Sequence, residues 1–233
     1  AMETLRKSFP SLLDFHVPSD WLGSSLKGSS RYHYVSIRHA IDSFTNSPIS
    51  HKNLVDFLDA IEVCKSIEGR KSVEVLTAII YFLRTQLLSN NWDVVYHTMI
   101  LFDVMVKNSG YQLHVLIGKR KIMKTMSLVA RRQLEESSRP NKRVAVFMVD
   151  SLQAWGEAFE SRRHLYPYIA GTYLSLKNKY KVKFPRPDND PKRVSIFLGE
   201  ITKEETRFII QHSEEPLPVT HSISNPDDEE KLQ

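Results

Sequence analysis

The chain has 233 residues, a formal net charge of +5 and 41% aliphatic and aromatic residues; at roughly 150 residues per domain this is one domain with extensions rather than two. The apolar share excludes global disorder, no stretch approaches the roughly 20 apolar residues that span a bilayer, and the N-terminus lacks the apolar core of a signal peptide. Cys64 is the single cysteine, which excludes an internal disulfide and a thiolate metal cluster and points to a reducing, cytosolic compartment.

Ala1 before Met2 reads as a cloning remnant. Residues 1–34 are rich in Ser, Pro and Gly without a sustained period, and read as an extension with local ordering around Leu12, Leu13, Phe15, Trp21 and Leu22. From Val35 helical signals follow one another. Ile37, Ile41 and Phe44 share one face, and Ser47-Pro48 stops that helix because the residue before proline avoids the helical region. Leu54, Phe57, Leu58 and Ile61 mark a second helix, ended by Gly69. Leu76, Ile79, Ile80, Leu83 and Leu87 step at helical spacing, and Ser89-Asn90-Asn91 breaks the chain. The run Trp92 to Ser109 is apolar on most sides, as in a helix buried at the centre of a bundle. Gly110 stands where a left-handed cap is favoured.

Leu113, Leu116, Ile117, Ile122 and Met126 predict one further helix, closing at Glu135 to Ser138. Pro140 suits the first turn of the next, where its missing N–H is not needed; Val144, Met148, Leu152, Trp155 and Phe159 carry its stripe. Ile169, Tyr173, Leu176 and Tyr180 carry the last. Pro185, Pro187 and Pro191 end the compact region, with one more short helix expected at Lys203 to Gln211. Strand alternation is limited to Val194 to Leu198. Seven or eight helices with short connections predict an all-α bundle or superhelix. Charge divides unevenly. Residues 186–233 hold six basic and eleven acidic residues, a net of −5, and residues 1–185 hold 26 and 16, a net of +10. A basic body with an acidic tail favours an anionic partner for the body, or a tail that folds back on it.

Catalytic motifs are missing: no glycine-rich phosphate loop, no Gly-x-Ser-x-Gly elbow, no His-Glu-x-x-His. His97 and His114 lie among apolar neighbours, where a lone histidine is read as a hydrogen-bonded core or edge residue, since zinc needs three or four ligands. Asp103, inside the most apolar helix, is expected to accept a hydrogen bond that fixes packing, because a buried carboxylate must be paired. The chain reads as a non-enzyme without metal or cofactor.

The segment Trp92 to His114 (WDVVYHTMILFDVMVKNSGYQLH) resembles the signature of VHS domains, in which an apolar fourth helix ends in Val-Lys-Asn-Cys-Gly and is soon followed by Phe-His. Ser109 replaces the Cys and Leu113 the Phe. Gln153-Ala154-Trp155-Gly156-Glu157-Ala158-Phe159 resembles the end of the family's sixth helix, and Tyr180-Lys181-Val182-Lys183-Phe184-Pro185 its closing segment. The resemblance covers residues 35–185, leaving 1–34 as extension and 186–233 as acidic linker and tail. It implies a right-handed superhelix of about eight helices, related to ENTH and ANTH folds. It further implies a non-enzymatic adaptor of vesicular or endosomal protein sorting, cytoplasmic and peripheral to endosomal or Golgi membranes. Trp92, Met99, Phe102, Trp155 and Phe159 are then core; Lys107, Asn108 and Gly110 are helix-end residues.

The same resemblance names sites. Many VHS domains bind ubiquitin or ubiquitinated cargo through an exposed Trp on the second helix and an apolar residue one turn later. Counting back from Cys64 these fall on Phe57 and Ile61; counting from the first helix, the Trp position is Leu54. A basic stretch, Lys119, Arg120, Lys121, Lys124, Arg131, Arg132, Arg139, Lys142 and Arg143, is a candidate for anionic lipid headgroups. Its alternative is a solvated charged face. A family surface between the sixth and last helices takes acidic di-leucine signals, with Lys142, Arg143, Lys177 and Lys181 as its available cations. Leu12-Leu13-Asp14-Phe15-His16 resembles a clathrin-box peptide with His where the motif has an acid. Rival readings are a phosphoinositide- or anionic-membrane-binding ENTH/ANTH-like module and a nuclear CTD-interacting reader of phosphopeptides. Leu113-His114 after Gly110 and the Trp155-Gly156-Glu157-Ala158-Phe159 segment favour VHS, and no nucleic-acid partner is expected.

Overall fold

The computed structural model describes residues 28–47, 50–66, 70–135, 139–191, 196 and 198–212. Among these, nine α-helices form and no strand: α1 (Ser29–Thr45), α2 (His51–Lys65), α3 (Arg70–Leu87), α4 (Trp92–Asn108), α5 (Tyr111–Ile117), α6 (Arg120–Glu135), α7 (Arg139–Ala158), α8 (Pro167–Leu174) and α9 (Lys203–His212). A 3-10 turn, Glu160–Arg162, follows α7, and a π-helical turn, Ser175–Lys179, follows α8. The all-α expectation holds. The strand expected at Val194 to Leu198 lies mostly outside the described residues, and Ile196 and Leu198 are irregular.

Helix α1 starts at Ser29, well ahead of Val35, because Ser30 and Tyr34 are buried and extend the Ile37, Ile41, Phe44 stripe backwards at helical spacing. Three N-termini use side chains as caps: Ser50 accepts from the Asn53 amide on α2, Asn91 from the Asp93 amide on α4, and Thr202 from the Glu205 amide on α9. Helix α4 is central, packing on α1, α3, α5 and α7. Met99, Leu101, Phe102, Met105 and Val106 on it are all buried. Trp155 from α7 and Phe159 just beyond its end are also fully buried, as expected, while Trp92 lies at the edge beneath the Arg132 guanidinium, 5.4 Å from its ring centroid.

Three local expectations need correction. Gly110 is not a left-handed cap: it is extended (φ −87°, ψ −173°) and starts α5, its carbonyl accepting from the Leu113 and His114 amides. The single helix expected over Leu113 to Met126 is two, broken at Gly118. A Cβ there would lie 2.8 Å from the His114 carbonyl oxygen and 3.2 Å from the Ile169 side chain, so close packing of α8 fixes the break and its residue. The stripe expected to run to Tyr180 stops at Leu176, because the π-turn closes with the Tyr180 amide on the Ser175 carbonyl. The wider turn rotates Tyr180 out of the core, leaving it 38% exposed beside α6.

The region beyond Pro191 adds α9, close to the expected bounds, packed on α5. Glu205 is its buried anchor. Its carboxylate accepts from the Tyr166 hydroxyl at 2.5 Å and pairs with Arg162 at 3.3 Å. Arg162 also donates to the Gly199 carbonyl. Ile209 is buried beside it, and Phe208 meets Tyr111 edge to face.

Candidate functional site

Helix α8 lies across α6 and α7. On the α7 side contact is tight: a Cβ on Gly156 would sit 2.3 Å from the Tyr173 Cβ. On the α6 side the helices part and leave a cleft of about 380 Å³. One wall is Arg120, Met123, Lys124, Ser127, Leu128 and Arg131 of α6; the other is Tyr168, Gly171, Thr172, Ser175 and Tyr180. The α6 wall is the outer face of a strongly amphipathic helix whose other face, Ile122, Met126, Val129 and Ala130, is core. A Cβ on Gly171 would meet nothing within 4 Å, so the α8 wall is open there. The cleft carries three cations and no carboxylate, with Leu128 and Tyr168 as half-buried apolar surface and Met123, 1% exposed, as its core-side floor. The Arg131 guanidinium lies 3.8 Å over the Tyr180 ring at one end. This arrangement suits a narrow anionic ligand with an apolar side chain.

The structure divides the predicted basic stretch. Arg120, Lys124 and Arg131 enter the cleft. Arg132 is turned away, over Trp92 of α4, and Arg143 lies over Tyr96 of the same helix, 5.2 Å from its centroid. Lys121 and Lys142 are exposed and Lys119 is half-buried, none of them lining the cleft. The Arg139 side chain lies outside the described ones. These residues therefore do not form one continuous face. Lys142, Arg143, Lys177 and Lys181 are not the cations of the cleft either. The helix taken as sixth is α7, because the Leu113 to Met126 segment divides in two. Lys177 pairs instead with Asp188, whose carboxylate also accepts from the Tyr173 hydroxyl at 2.9 Å. Lys181 is exposed on the following strap at φ 53°.

The ubiquitin residues are corrected as well. Phe57 and Ile61 are 0% exposed and lie in the core with Cys64, at i, i+4 and i+7 on the inner face of α2. Leu54 is half-buried and packed against the same core. The solvent face of α2 carries Val55 and Val63 among Asp56, Asp59 and Glu62. Register failed because Val55 and Val63 interrupt the apolar pattern with exposed aliphatic residues that the sequence does not distinguish from core. The clathrin-like segment Leu12 to His16 lies outside the described residues.

The remaining polar groups are structural. His114 donates from Nε2 to the Val106 carbonyl at 2.9 Å, and burial lowers its pKa below the ordinary value. His97 Nδ1 meets the Thr45 carbonyl at 3.1 Å. Asp103 is buried and accepts from the Trp155 indole at 3.0 Å and from Lys107 at 2.5 Å, the packing role expected of it. Burial pushes the Cys64 thiol up to about 11, leaving it protonated and unreactive at neutral pH. Among the described residues no group of three or more His, Cys, Asp or Glu is placed to hold a metal.

Sequence reasoning named the cations of the cleft but missed Met123, Ser127, Leu128, Tyr168, Gly171, Thr172, Ser175 and Tyr180. Part of the signal was legible. Arg120, Lys124, Ser127 and Arg131 fall at i, i+4, i+7 and i+11, one face of one helix. Tyr168, Gly171 and Thr172 of α8 and Ser175 of the π-helical turn fall at i, i+3, i+4 and i+7, again one face.

Comparison with known proteins bears on the whole scaffold. The VHS domain family matches residues 33–180, well over half of the chain. The chain belongs to the VHS domain family, and its all-helical fold is of the VHS/ENTH type. No curated protein and no solved structure matches it. Helix α9 falls outside the matched span.

Proposed function

We propose that this protein is a non-enzymatic adaptor module of vesicular or endosomal sorting, and that the α6–α8 cleft receives an acidic sorting peptide of the di-leucine kind. The observation that supports this reading is the lining of the cleft: Arg120, Lys124 and Arg131 with no acid, beside Leu128 and Tyr168. The cations draw the acidic residues and fix direction, and the apolar surface takes a leucine side chain. Each buried methylene of that side chain contributes about 0.8 kcal/mol. A contact of this size gives micromolar binding, about −8 kcal/mol at 1 μM. Weak monovalent binding suits an adaptor, because clustered copies gain avidity without stronger contacts. Such a module works at the cytoplasmic surface of endosomal or Golgi membranes. Ubiquitin capture through Phe57 and Ile61 is set aside, since a buried pair offers no hot spot.

Gly171→Leu tests the reading. Its Cβ meets no neighbour and leucine favours a helix more than glycine does, so the variant fills the cleft without disturbing the fold. NMR titration with a Glu-Glu-Glu-Ala-Leu-Leu peptide is expected to shift α6 and α8 resonances in the wild type and none in Gly171→Leu. Shifts confined to other helices, or no shift at about 1 mM peptide, a concentration that detects even −4 kcal/mol binding, would end the proposal.

A further inference from the structure

Of the Asp, Glu, Lys and Arg side chains among the described residues, four are buried: Arg84, Asp103, Arg162 and Glu205. Three are compensated. Asp103 holds Lys107 and the Trp155 indole, and Arg162 and Glu205 hold each other. Arg84 is the exception. It is 9% exposed, and its one hydrogen bond runs from Nε to the Thr125 hydroxyl at 2.8 Å. Among the described residues no carboxylate lies within ion-pair distance of it. Its two terminal nitrogens have no partner and are not sealed from solvent. A charge taken out of water without a counter-charge is costly, and a residue that serves packing alone is better apolar. The place of Arg84 in the last turn of α3 sets it against the negative end of that helix, which eases the burial but gives the terminal nitrogens no acceptor. Burial lowers its pKa from the ordinary arginine value, and the guanidinium stays charged at neutral pH.

Arg84 stands where α3 packs on α6. The Thr125 hydroxyl donates to the Lys121 carbonyl at 2.9 Å and turns its lone pairs to Arg84, so the guanidinium is anchored through Nε. The edge left open is the one that bears the two terminal nitrogens. Tyr81 lies one turn before Arg84 on α3, and Lys121 one turn before Thr125 on α6, which puts a hydroxyl and an exposed ammonium beside the two anchor residues. Lys121 belongs to the basic stretch but does not line the α6–α8 cleft. A phosphoryl group brings a charge of about −1.5 to −2 and three strong acceptor oxygens. Two of these match the paired N–H bonds of an arginine fork. The third is left for Lys121 and Tyr81, and a carboxylate has no third oxygen.

We infer that the α3–α6 seam is a phosphate-binding site, separate from the α6–α8 cleft. The Arg84 terminal nitrogens hold two oxygens of a phosphate monoester, and Lys121 and Tyr81 hold the third. A soluble phosphate ester and a lipid headgroup offer the same chemistry.

NMR titration of the whole chain with glycerol 3-phosphate, at a constant ionic strength of about 0.1 M, tests this. The Arg84 Nε–H, held by Thr125, is the reporter. It and the amides of residues 81–88 and 120–126 are expected to shift saturably with a Kd on the order of 1 mM. Acetate should bind at least about fivefold more weakly, for want of one charge-assisted bond; equal binding of acetate overturns the phosphate assignment. Arg84→Met separates binding from structure, because replacing an unpaired buried charge by an apolar side chain is neutral or stabilising. It should abolish the shifts and leave Tm unchanged or higher; shifts retained in Arg84→Met overturn the inference. Should that variant fail to fold, Lys121→Ala decides. Its side chain is exposed, so the fold is kept and binding should weaken about threefold; an unchanged Kd overturns the site. Gly171→Leu should bind as the wild type does. Loss of the shifts there, with Arg84→Met unaffected, places the phosphate in the α6–α8 cleft and refutes the seam. Cosedimentation with phosphatidylcholine–phosphatidic acid vesicles at about 4:1 distinguishes the sources: binding that depends on Arg84 supports a lipid headgroup, and shifts with glycerol 3-phosphate but no vesicle binding support a soluble ester. Neither a saturable shift nor Arg84-dependent vesicle binding overturns the inference and leaves the peptide cleft untouched.

Discussion

The Asp103–Trp155 hydrogen bond joins the two helices on which the core depends, and Asp103→Ala measures it. Trp155 is fully buried and Asp103 nearly so; the indole donates at 3.0 Å. Removing the carboxylate leaves that N–H without an acceptor in a site water does not reach, which costs about 1–3 kcal/mol. The Lys107 ion pair also goes, but the lysine is partly exposed, so this adds no more than ~1 kcal/mol. The expected loss is ~1–4 kcal/mol, a large share of the ~5–15 kcal/mol that stabilises a domain. At ~2–4 °C per kcal/mol for a chain of this size, Tm falls by about 2–16 °C. Asp103→Asn retains an amide oxygen as acceptor for the indole and should cost only ~1 kcal/mol. Urea denaturation gives both values, with unchanged m showing that the change lies in stability. Paired with Trp155→Phe in a double-mutant cycle, Asp103→Ala should show a coupling of ~1–2 kcal/mol. A coupling below about 0.5 kcal/mol, the limit expected for independent sites, would refute the argument that this bond locks α4 to α7.

Gly156→Ala places a Cβ 2.3 Å from the Tyr173 Cβ, an atom too near the backbone to move aside. The α7–α8 contact must open, and urea midpoints should show a loss of at least ~1–3 kcal/mol. Arg162→Ala leaves Glu205 buried without its ion pair and removes the donor to Gly199. Breaking such a pair costs ~3–5 kcal/mol unless α9 lifts off to rehydrate the carboxylate. Hydrogen exchange should therefore rise over residues 203–212 while α4 stays protected; unchanged protection of α9 would contradict the anchoring role. Stability should also depend on pH through His114, whose pKa burial holds below its ordinary value. With the folded pKa below the unfolded value of about 6.5, the unfolded state takes up the proton first. Stability is then full above that pH and falls as pH drops towards the folded pKa, by at most ~1.4 kcal/mol per pH unit. Urea midpoints between about pH 7.5 and 5.5 should show this slope, and His114→Asn should flatten it.

The sequence by itself determined the helical class, the order of the helices and most of the core. Apolar residues at helical spacing in Ile79–Leu87, Trp92–Val106 and Val144–Phe159 have one low-energy solution, a buried stripe, and that holds whichever neighbour covers it. The Trp92 to His114 signature gave the family for the same reason, being mostly scaffold. Tertiary structure decided which of several outward faces meets which. The packing of Ile169, a residue distant in sequence, against Gly118 adds a tertiary contact at the break to the local one with the His114 carbonyl. The burial of Phe57 and Ile61 depends on the rotation of α2 against α1 and α3, which local pattern leaves open. The cleft required α8 to press on α7 at Gly156 and stand off from α6 at Gly171, with a π-helical turn carrying Tyr180 under Arg131. No local pattern encodes these placements, because each depends on the distance and rotation between two helices, and those are set by the side chains of both at once.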